Sequence, residues 1–208
     1  EIAFSAADVY ARAAEARGLW DARLEALVVD SILSGEHTDE ISSRVAALGW
    51  RATGSVIVLI GTVPQTFDAD QFRRAARKAH SDVLIGIHGN RLIVVLGHIA
   101  EIKGENKSFS TIVKELEPYF GAGTIVIGPT IRDVASATIS AKAALSAYSV
   151  IRNSTKPARV LHADDLLAER ALAGDGIAKR TLIEKVYEPL AANSSELLET
   201  LTAYLESG

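Results

Sequence analysis

Residues 83–96 read VLIGIHGNRLIVVL, and the fold prediction starts from this stretch. Two short apolar runs flank the tetrapeptide His88-Gly-Asn-Arg91, and continuous runs rich in β-branched residues are typical of strands covered on both faces. Gly89 and Asn90 favour a tight turn, because hairpin turns need positive φ. The stretch therefore predicts two antiparallel strands joined by a β-hairpin.

The segments on either side extend this hairpin into a mixed domain. Further strands are predicted over residues 55–60 (SVIVLI) and 124–127 (TIVI), with an edge strand near 158–161. Helical periodicity predicts helices over 68–80, with Asp68 as N-cap, over 112–120, and over 131–151. The order β-α-β-β-α-β-α-(β) predicts an α/β (α+β) fold of the ferredoxin-like type.

The first fifty residues show helical spacing throughout. Two apolar stripes, one from Ile2 to Ala13 and one from Trp20 to Leu33, predict separate helices, the second ending at Gly35. A third helix is predicted to start near Thr38 and to end at Gly49. The change in pattern predicts three parts: a helical segment over 1–50, an α/β domain over 51–163 and a helical segment over 164–208.

Composition excludes several classes of function. The chain has no cysteine, which excludes disulfides and thiolate chemistry, and its net charge of −4 argues against binding DNA by itself. We see no apolar run that approaches the ~18–20 residues of a membrane span, and no signal-peptide pattern. We therefore expect a cytoplasmic globular protein that makes no membrane contact.

The C-terminal quarter carries a family resemblance. Residues 158–175 (ARVLHADDLLAERALAGD) and 195–208 (SELLETLTAYLESG) resemble the lead-in to the C-terminal helix-turn-helix of PucR/CdaR-type bacterial transcription regulators. In that family a DNA-recognition segment follows such a phrase. The chain stops at Gly208 before one, and it begins at Glu1 without any methionine. We expect a fragment that holds the sensing and coupling part of a regulator and lacks its DNA reader.

The resemblance also implies a degenerate GGDEF-like domain, of order β-α-β-β-α-β-α, with flanking N- and C-terminal helices. An active GGDEF domain holds Mg²⁺ with carboxylates near its first strand and in its hairpin. Here residues 55–60 contain no carboxylate, and the hairpin reads GIHGN in place of Gly-Gly-Asp/Glu-Glu-Phe. We therefore expect no enzymatic activity, no catalytic residue, no metal site and no cofactor.

A basic stripe on the predicted helix over 68–80 is the candidate ligand site. It is either an ordinary solvated face or a landing site for phosphates. The loop just before this helix lies where an active cyclase-type fold receives its nucleotide. The candidate ligand-binding residues are Gly61, Thr62, Arg73, Arg74, Arg77 and Lys78.

Residues 10–30 (YARAAEARGLWDARLEALVVD) resemble, within the same family, actinobacterial regulators of fatty-acid and mycolic-acid synthesis genes. That closer resemblance implies long-chain acyl-CoA as the effector. Two alternatives stay open: a dimerisation scaffold without a ligand, and a nucleotide sensor that turns nothing over.

The partners follow from the same resemblance. DNA would bind through the absent helix-turn-helix and not through this fragment. An apolar stripe near the C-terminus predicts a homodimer or higher homo-oligomer, and its residues are Leu197, Leu198, Leu201, Tyr204 and Leu205.

Overall fold

The computed structural model describes residues 2–79, 81–99, 108–151, 158–193 and 202–203. Its strands are β1 (Val56–Thr62), β2 (Ser81–His88), β3 (Arg91–His98), β4 (Ile125–Ile127) and β5 (Val160–His162). They form one sheet in the order β2-β3-β1-β4-β5, in which β4 and β5 are parallel and the other neighbours antiparallel. This mixed sheet confirms the predicted α+β fold class.

Helices precede, connect and follow these strands. They are α1 (Ile2–Ser34), α2 (Thr38–Ala47), α3 (Ala69–Lys78), α4 (Phe109–Leu116), α5 (Ala137–Ile151), α6 (Leu167–Leu172), α7 (Gly176–Leu182) and α8 (Glu188–Asn193). Short 3-10 turns lie at Glu117–Tyr119, Val134–Ser136 and Ala163–Leu166, and a π-helical turn spans Ile183–Tyr187. The predicted cap of α3 is confirmed, because the Asp68 carboxylate accepts the N–H groups of Asp70 and Gln71, both at 2.9 Å.

The sheet is covered on both faces. Val58, Ile60 and Val95 pack with α1, α2 and α5 on one face. Leu59, Val94 and Leu96 pack with α3 and α4 on the other. Burial on both sides explains why the strands read as continuous apolar runs and do not alternate. At the hairpin, Gly89 has a φ of 60°, which suits the first position of a type II′ turn.

The prediction for the N-terminal region is wrong at α1. Residues 2–34 form one continuous helix of 33 residues, where the sequence predicts two. Gly18 lies inside it, and a single glycine costs a helix only about 1 kcal/mol relative to alanine. Its buried face is Glu25, Val28, Val29 and Ile32, whereas Trp20 and Leu27 of the predicted stripe are exposed. This buried face packs in the core of the sheet. The three-part division at residues 50 and 163 stays a prediction.

The α5 helix also differs from the prediction. It begins at Ala137 and not at residue 131, because Ile131 pairs with Val56 in an isolated β-bridge. Its buried face consists mainly of alanines together with Ser140, and these small side chains let the helix approach the sheet closely. The Ser140 hydroxyl accepts the N–H of Val58 at 2.9 Å.

One segment meets the criteria of length and composition for a membrane span, contrary to the expectation from the sequence. It is Val134–Ile151, with a mean hydropathy of 1.3 over 18 residues. Most of it is α5, whose small side chains pack against β1. The segment therefore serves as a core helix of this domain.

A buried ion pair organises the C-terminal helices. Arg170 is only 2% exposed, and its guanidinium donates to the Ala163 carbonyl at 2.9 Å and to the Asp175 carboxylate at 2.9 and 3.1 Å. Burial opposes ionisation of Asp175, but the Ala178 N–H, the Ser146 hydroxyl and Arg170 together hold its pKa below the ordinary value. Asp175 thus caps α7 and joins α6 to it.

Candidate functional site at the edge of β2

One carboxylate ties the two helical layers together around the edge of the sheet. Glu25 on α1 accepts the N–H of Ile85 on β2 at 2.7 Å and forms an ion pair with the Arg73 guanidinium of α3. α1 and α3 lie on opposite faces, and β2 is an edge strand. We call Glu25, Arg73 and the Ile85 amide the edge clasp.

The local sequence lets α1 come close enough for this contact. Gly86 on β2 faces Val29, and a Cβ at that glycine would lie 2.5 Å from a γ-carbon of Val29. The next residue of α1 is Asp30, and its carboxylate lies 3.4 Å from Nε2 of His88. The absence of a side chain at residue 86 therefore allows α1 to pack closely against β2.

The edge clasp is electrostatically unusual. Burial raises the pKa of Glu25 above its ordinary value, and the nearby Asp21 carboxylate adds to the increase. Arg73 and the Ile85 N–H favour the ionised form, but they offset the effect of burial only in part. The surroundings of Glu25 thus favour its neutral form over its ionised form.

A cavity of about 400 Å³ opens beside the edge clasp. Its walls come from α1, the loop between α2 and β1, α3 and β2. Four carboxylates and two guanidinium groups line it, namely Asp21, Glu25, Asp70 and Asp82 with Arg73 and Arg77. Excess carboxylate disfavours an anionic ligand in this cavity.

The loop between α2 and β1 is pinned at this cavity by Asp82. Its carboxylate accepts the N–H groups of Arg51 and Ala52 at 2.5 and 2.7 Å. The indole of Trp50 lies directly over Gly97, where a Cβ would collide with the ring, and its N–H donates to the Ala52 carbonyl at 3.1 Å. This wall of the cavity is therefore held in place.

The structure separates the predicted ligand-binding residues. Arg73 and Arg77 line the cavity beside the edge clasp, whose lining does not include Gly61 or Thr62. Arg73 is already paired with two carboxylates, of Glu25 and Asp70. Arg74 and Lys78 are exposed on α3. Ligand binding by this set stays a prediction.

The loop before α3 lies elsewhere. Gly61 backs onto the Phe120 ring, and the Thr62 hydroxyl lies 3.3 Å from that of Tyr148. A second cavity of about 290 Å³ adjoins this loop and is lined by Pro64, Thr66, Phe67, Asp68, Gln71, Pro118 and Tyr119. The place where an active cyclase-type fold would receive a nucleotide is thus lined by two prolines and two aromatic rings together with three polar side chains.

Two further predictions concern residues outside this site. The predicted interface residues Leu197, Leu198, Leu201, Tyr204 and Leu205 lie outside the described residues. Across residues 2–79, 81–99, 108–151, 158–193 and 202–203, no three His, Cys, Asp or Glu side chains form a group suited to a metal ion.

Sequence reasoning missed the edge clasp. In the sequence Glu25 is one of many charged residues on its predicted helix. The apolar residues Val28, Val29 and Ile32 that follow it do not form a clear apolar stripe. The available signal was Gly86, a glycine inside an otherwise apolar strand, since such glycines mark close approach of another element.

Comparison with known proteins supports the fold. The chain is 36% identical over 219 residues to the uncharacterized proteins Rv2242 of Mycobacterium tuberculosis and Mb2266 of Mycobacterium bovis. These alignments cover 100% of the chain and 51% of either relative, so the chain spans about half their length.

A solved structure, that of a regulator of polyketide synthase expression from Bifidobacterium adolescentis, has the same fold. Its TM-score is 0.73 at 23% identity, over 89% of this chain and 73% of that one. The GGDEF-like domain family matches residues 34–150, from the end of α1 into α5. This chain therefore belongs to the GGDEF-like domain family.

Proposed function

We propose that this chain is the regulatory part of a cytoplasmic bacterial transcription regulator of the PucR/CdaR type. The observation that carries the proposal is the edge clasp, which joins a long N-terminal helix to both layers of a GGDEF-like domain. The regulator of polyketide synthase expression with the same fold supports it. DNA binding belongs to a part of the protein beyond this chain.

In this proposal the domain transmits a signal and catalyses nothing. The segment that forms β1 and the β2–β3 hairpin lack the carboxylates that an active GGDEF domain uses to hold Mg²⁺. Incubation with GTP and Mg²⁺ should therefore yield no cyclic dinucleotide. Product formed by purified protein, and abolished by chelation, would contradict this part of the proposal.

The route of transmission runs through packed helices. α1 contacts α5 near Gly35, where a Cβ would touch Thr138 and Lys142. α5 in turn contacts α6, and the Arg170–Asp175 pair joins α6 to α7. A shift of α1 on β2 would thus reach the helices that lead toward the DNA reader.

Long-chain acyl-CoA is the effector that we would test first, on the family resemblance alone. The carboxylate-rich cavity at the edge clasp does not favour its phosphates, whereas the exposed pair Arg74 and Lys78 could meet them.

A thermal-shift titration with palmitoyl-CoA, free CoA, and GTP with Mg²⁺ distinguishes a lipid sensor, a nucleotide sensor and a scaffold without a ligand. At 100 times its Kd, a ligand of the folded state adds about 2.7 kcal/mol. A shift with palmitoyl-CoA alone identifies a lipid sensor, and a shift with GTP alone identifies the nucleotide sensor. No shift with any of them favours the scaffold.

The regulatory role itself is tested in the full-length protein. Arg73→Met should change expression of a target gene in a reporter strain while leaving operator affinity unchanged, because it breaks the edge clasp and alters no residue of the DNA reader. Arg132→Met, at an exposed arginine outside both the edge clasp and the candidate ligand-binding residues, is the matched control. Equal behaviour of the two variants would show that the edge clasp plays no part in regulation.

A further inference from the structure

The surface of α1 from residue 8 to residue 23 is open to solvent, and Gly18, Asp21 and Ala22 of this segment line the cavity beside the edge clasp. Every residue from 8 to 23 is exposed, a length of about 24 Å at 1.5 Å per residue. Large apolar side chains are left open along it and just beyond: Tyr10 is 77% exposed, Trp20 66%, Leu19 63% and Leu27 56%. Uncovered apolar side chains in such number along one helix are typical of a contact surface.

Part of this surface has the spacing of a coiled coil. Positions separated alternately by three and four residues lie along one seam, as positions a and d of a heptad do. We call this set the α1 seam, and its residues are Tyr10, Ala13, Arg17, Trp20, Leu24 and Leu27. Leu19, although equally exposed, falls outside it.

The α1 seams of two copies of the chain match each other only when the two helices run antiparallel. In a parallel pair each residue faces its own copy, so that Arg17 would meet the partner's Arg17 at a core position. In an antiparallel pair an a position faces a d position. Arg17 then meets the partner's Trp20, and Ala13 meets the partner's Leu24. A guanidinium over an indole is favourable, and a large side chain opposite a small one fills space.

We propose that α1 pairs antiparallel with α1 of a second copy of this chain through the α1 seam. Twofold symmetry makes each contact occur twice. The pairing also sets the partner's Tyr10 opposite Leu27, two residues along the chain from Glu25. The dimer contact thus adjoins the edge clasp. This inference does not depend on the regulatory role proposed above.

Engineered cysteines test the direction, because the 208-residue chain contains none of its own. Tyr10→Cys, Leu27→Cys and the double variant are oxidised separately and run on non-reducing gels. The antiparallel pair predicts a covalent dimer from the double variant and none from either single variant. A covalent dimer from Tyr10→Cys alone would show a parallel pair, and no covalent dimer from any variant would exclude the α1 seam as the contact; either result overturns the proposal.

Sedimentation equilibrium tests the energetics. Trp20→Ala should raise the dimer dissociation constant about tenfold or more, because two cation–π contacts and two covered indoles are lost. Leu19→Ala should leave it unchanged, although the two side chains are neighbours of nearly equal exposure. A monomer at about 100 μM, or equal effects of the two substitutions, would refute the pairing.

Discussion

Glu25→Gln and Arg73→Met should have different effects on the stability of this protein, although each removes the same ion pair. The Glu25 side chain is buried and its pKa is raised, so the net effect of its surroundings is to favour the neutral form. Glutamine resembles that neutral form and still accepts the Ile85 N–H. Methionine at 73 leaves an ionised carboxylate without its guanidinium.

The magnitudes follow from burial. Removing one partner of a fully buried ion pair costs about 3–5 kcal/mol. The Arg73 side chain is 28% exposed, and the Ile85 amide remains, so we expect Arg73→Met to cost about 2 kcal/mol near neutral pH. Each unit by which the pKa of Glu25 is raised corresponds to about 1.4 kcal/mol. Glu25→Gln should therefore leave stability unchanged or raise it.

The pH dependence has a definite sign. The folded protein holds the Glu25 proton more tightly than the unfolded chain, whose carboxyl has the ordinary pKa of 4.5. This group therefore adds stability below pH 4.5, and that stability is lost as pH rises through the folded pKa. The advantage of Glu25→Gln should vanish at low pH and grow toward neutrality. The loss in Arg73→Met should shrink on acidification, because a neutral carboxyl needs no cation.

Urea denaturation followed by circular dichroism, near pH 7.5 and near pH 4, measures both effects, and Arg74→Met serves as the control for loss of a surface arginine. If Glu25→Gln destabilised the protein by more than about 1 kcal/mol at pH 7.5, the ion pair would be a net source of stability. The argument from burial would then be wrong.

Three further predictions concern packing and buried hydrogen bonds, and denaturation measures each. Gly86→Ala should cost about 1–3 kcal/mol, because its Cβ would lie 2.5 Å from a side chain of α1, whereas Gly18→Ala, built into open space within a helix, should add about 0.5–1 kcal/mol. Ser140→Ala should cost about 1–3 kcal/mol, because it removes the hydroxyl that accepts the buried N–H of Val58 on β1. Arg170→Met should cost about 3 kcal/mol at neutral pH, since it leaves Asp175 unpaired. Because the pKa of Asp175 is lowered, its contribution is present above pH 3.8 and is lost as pH falls through the folded pKa, so the cost of Arg170→Met should shrink there. Equal effects of the two glycine substitutions, or a pH-independent cost for Arg170→Met, would contradict these assignments.

Much of the fold could be predicted because its signals are local. The apolar runs at 55–60 and 83–96, the hairpin turn at Gly89 and the Asp68 cap each depend on neighbouring residues, and all appear in the structure. The predictions failed where distant residues matter. α5 starts six residues late because Ile131 pairs with Val56, a contact across 75 positions that no local pattern encodes.

The candidate site was less predictable than the fold. The stripe at Arg73, Arg74, Arg77 and Lys78 was visible, yet nothing in its spacing shows that Arg73 is taken by Glu25, 48 residues away. The loop at Gly61 and the stripe were adjacent in the chain and still line different parts of the domain.

The order of strands and helices follows from periodicity and turn chemistry, which act over a few residues and are written directly in the chain. Which side of α1 is buried, and whether its glutamate is a surface charge or the link between two layers, follows from the packing of α1 against the edge of β2. Burial changes the free energy of a charge by amounts that the residue type alone does not specify. For that reason the same Glu25 that looks ordinary in the sequence becomes, in the folded chain, the residue on which α1 is held.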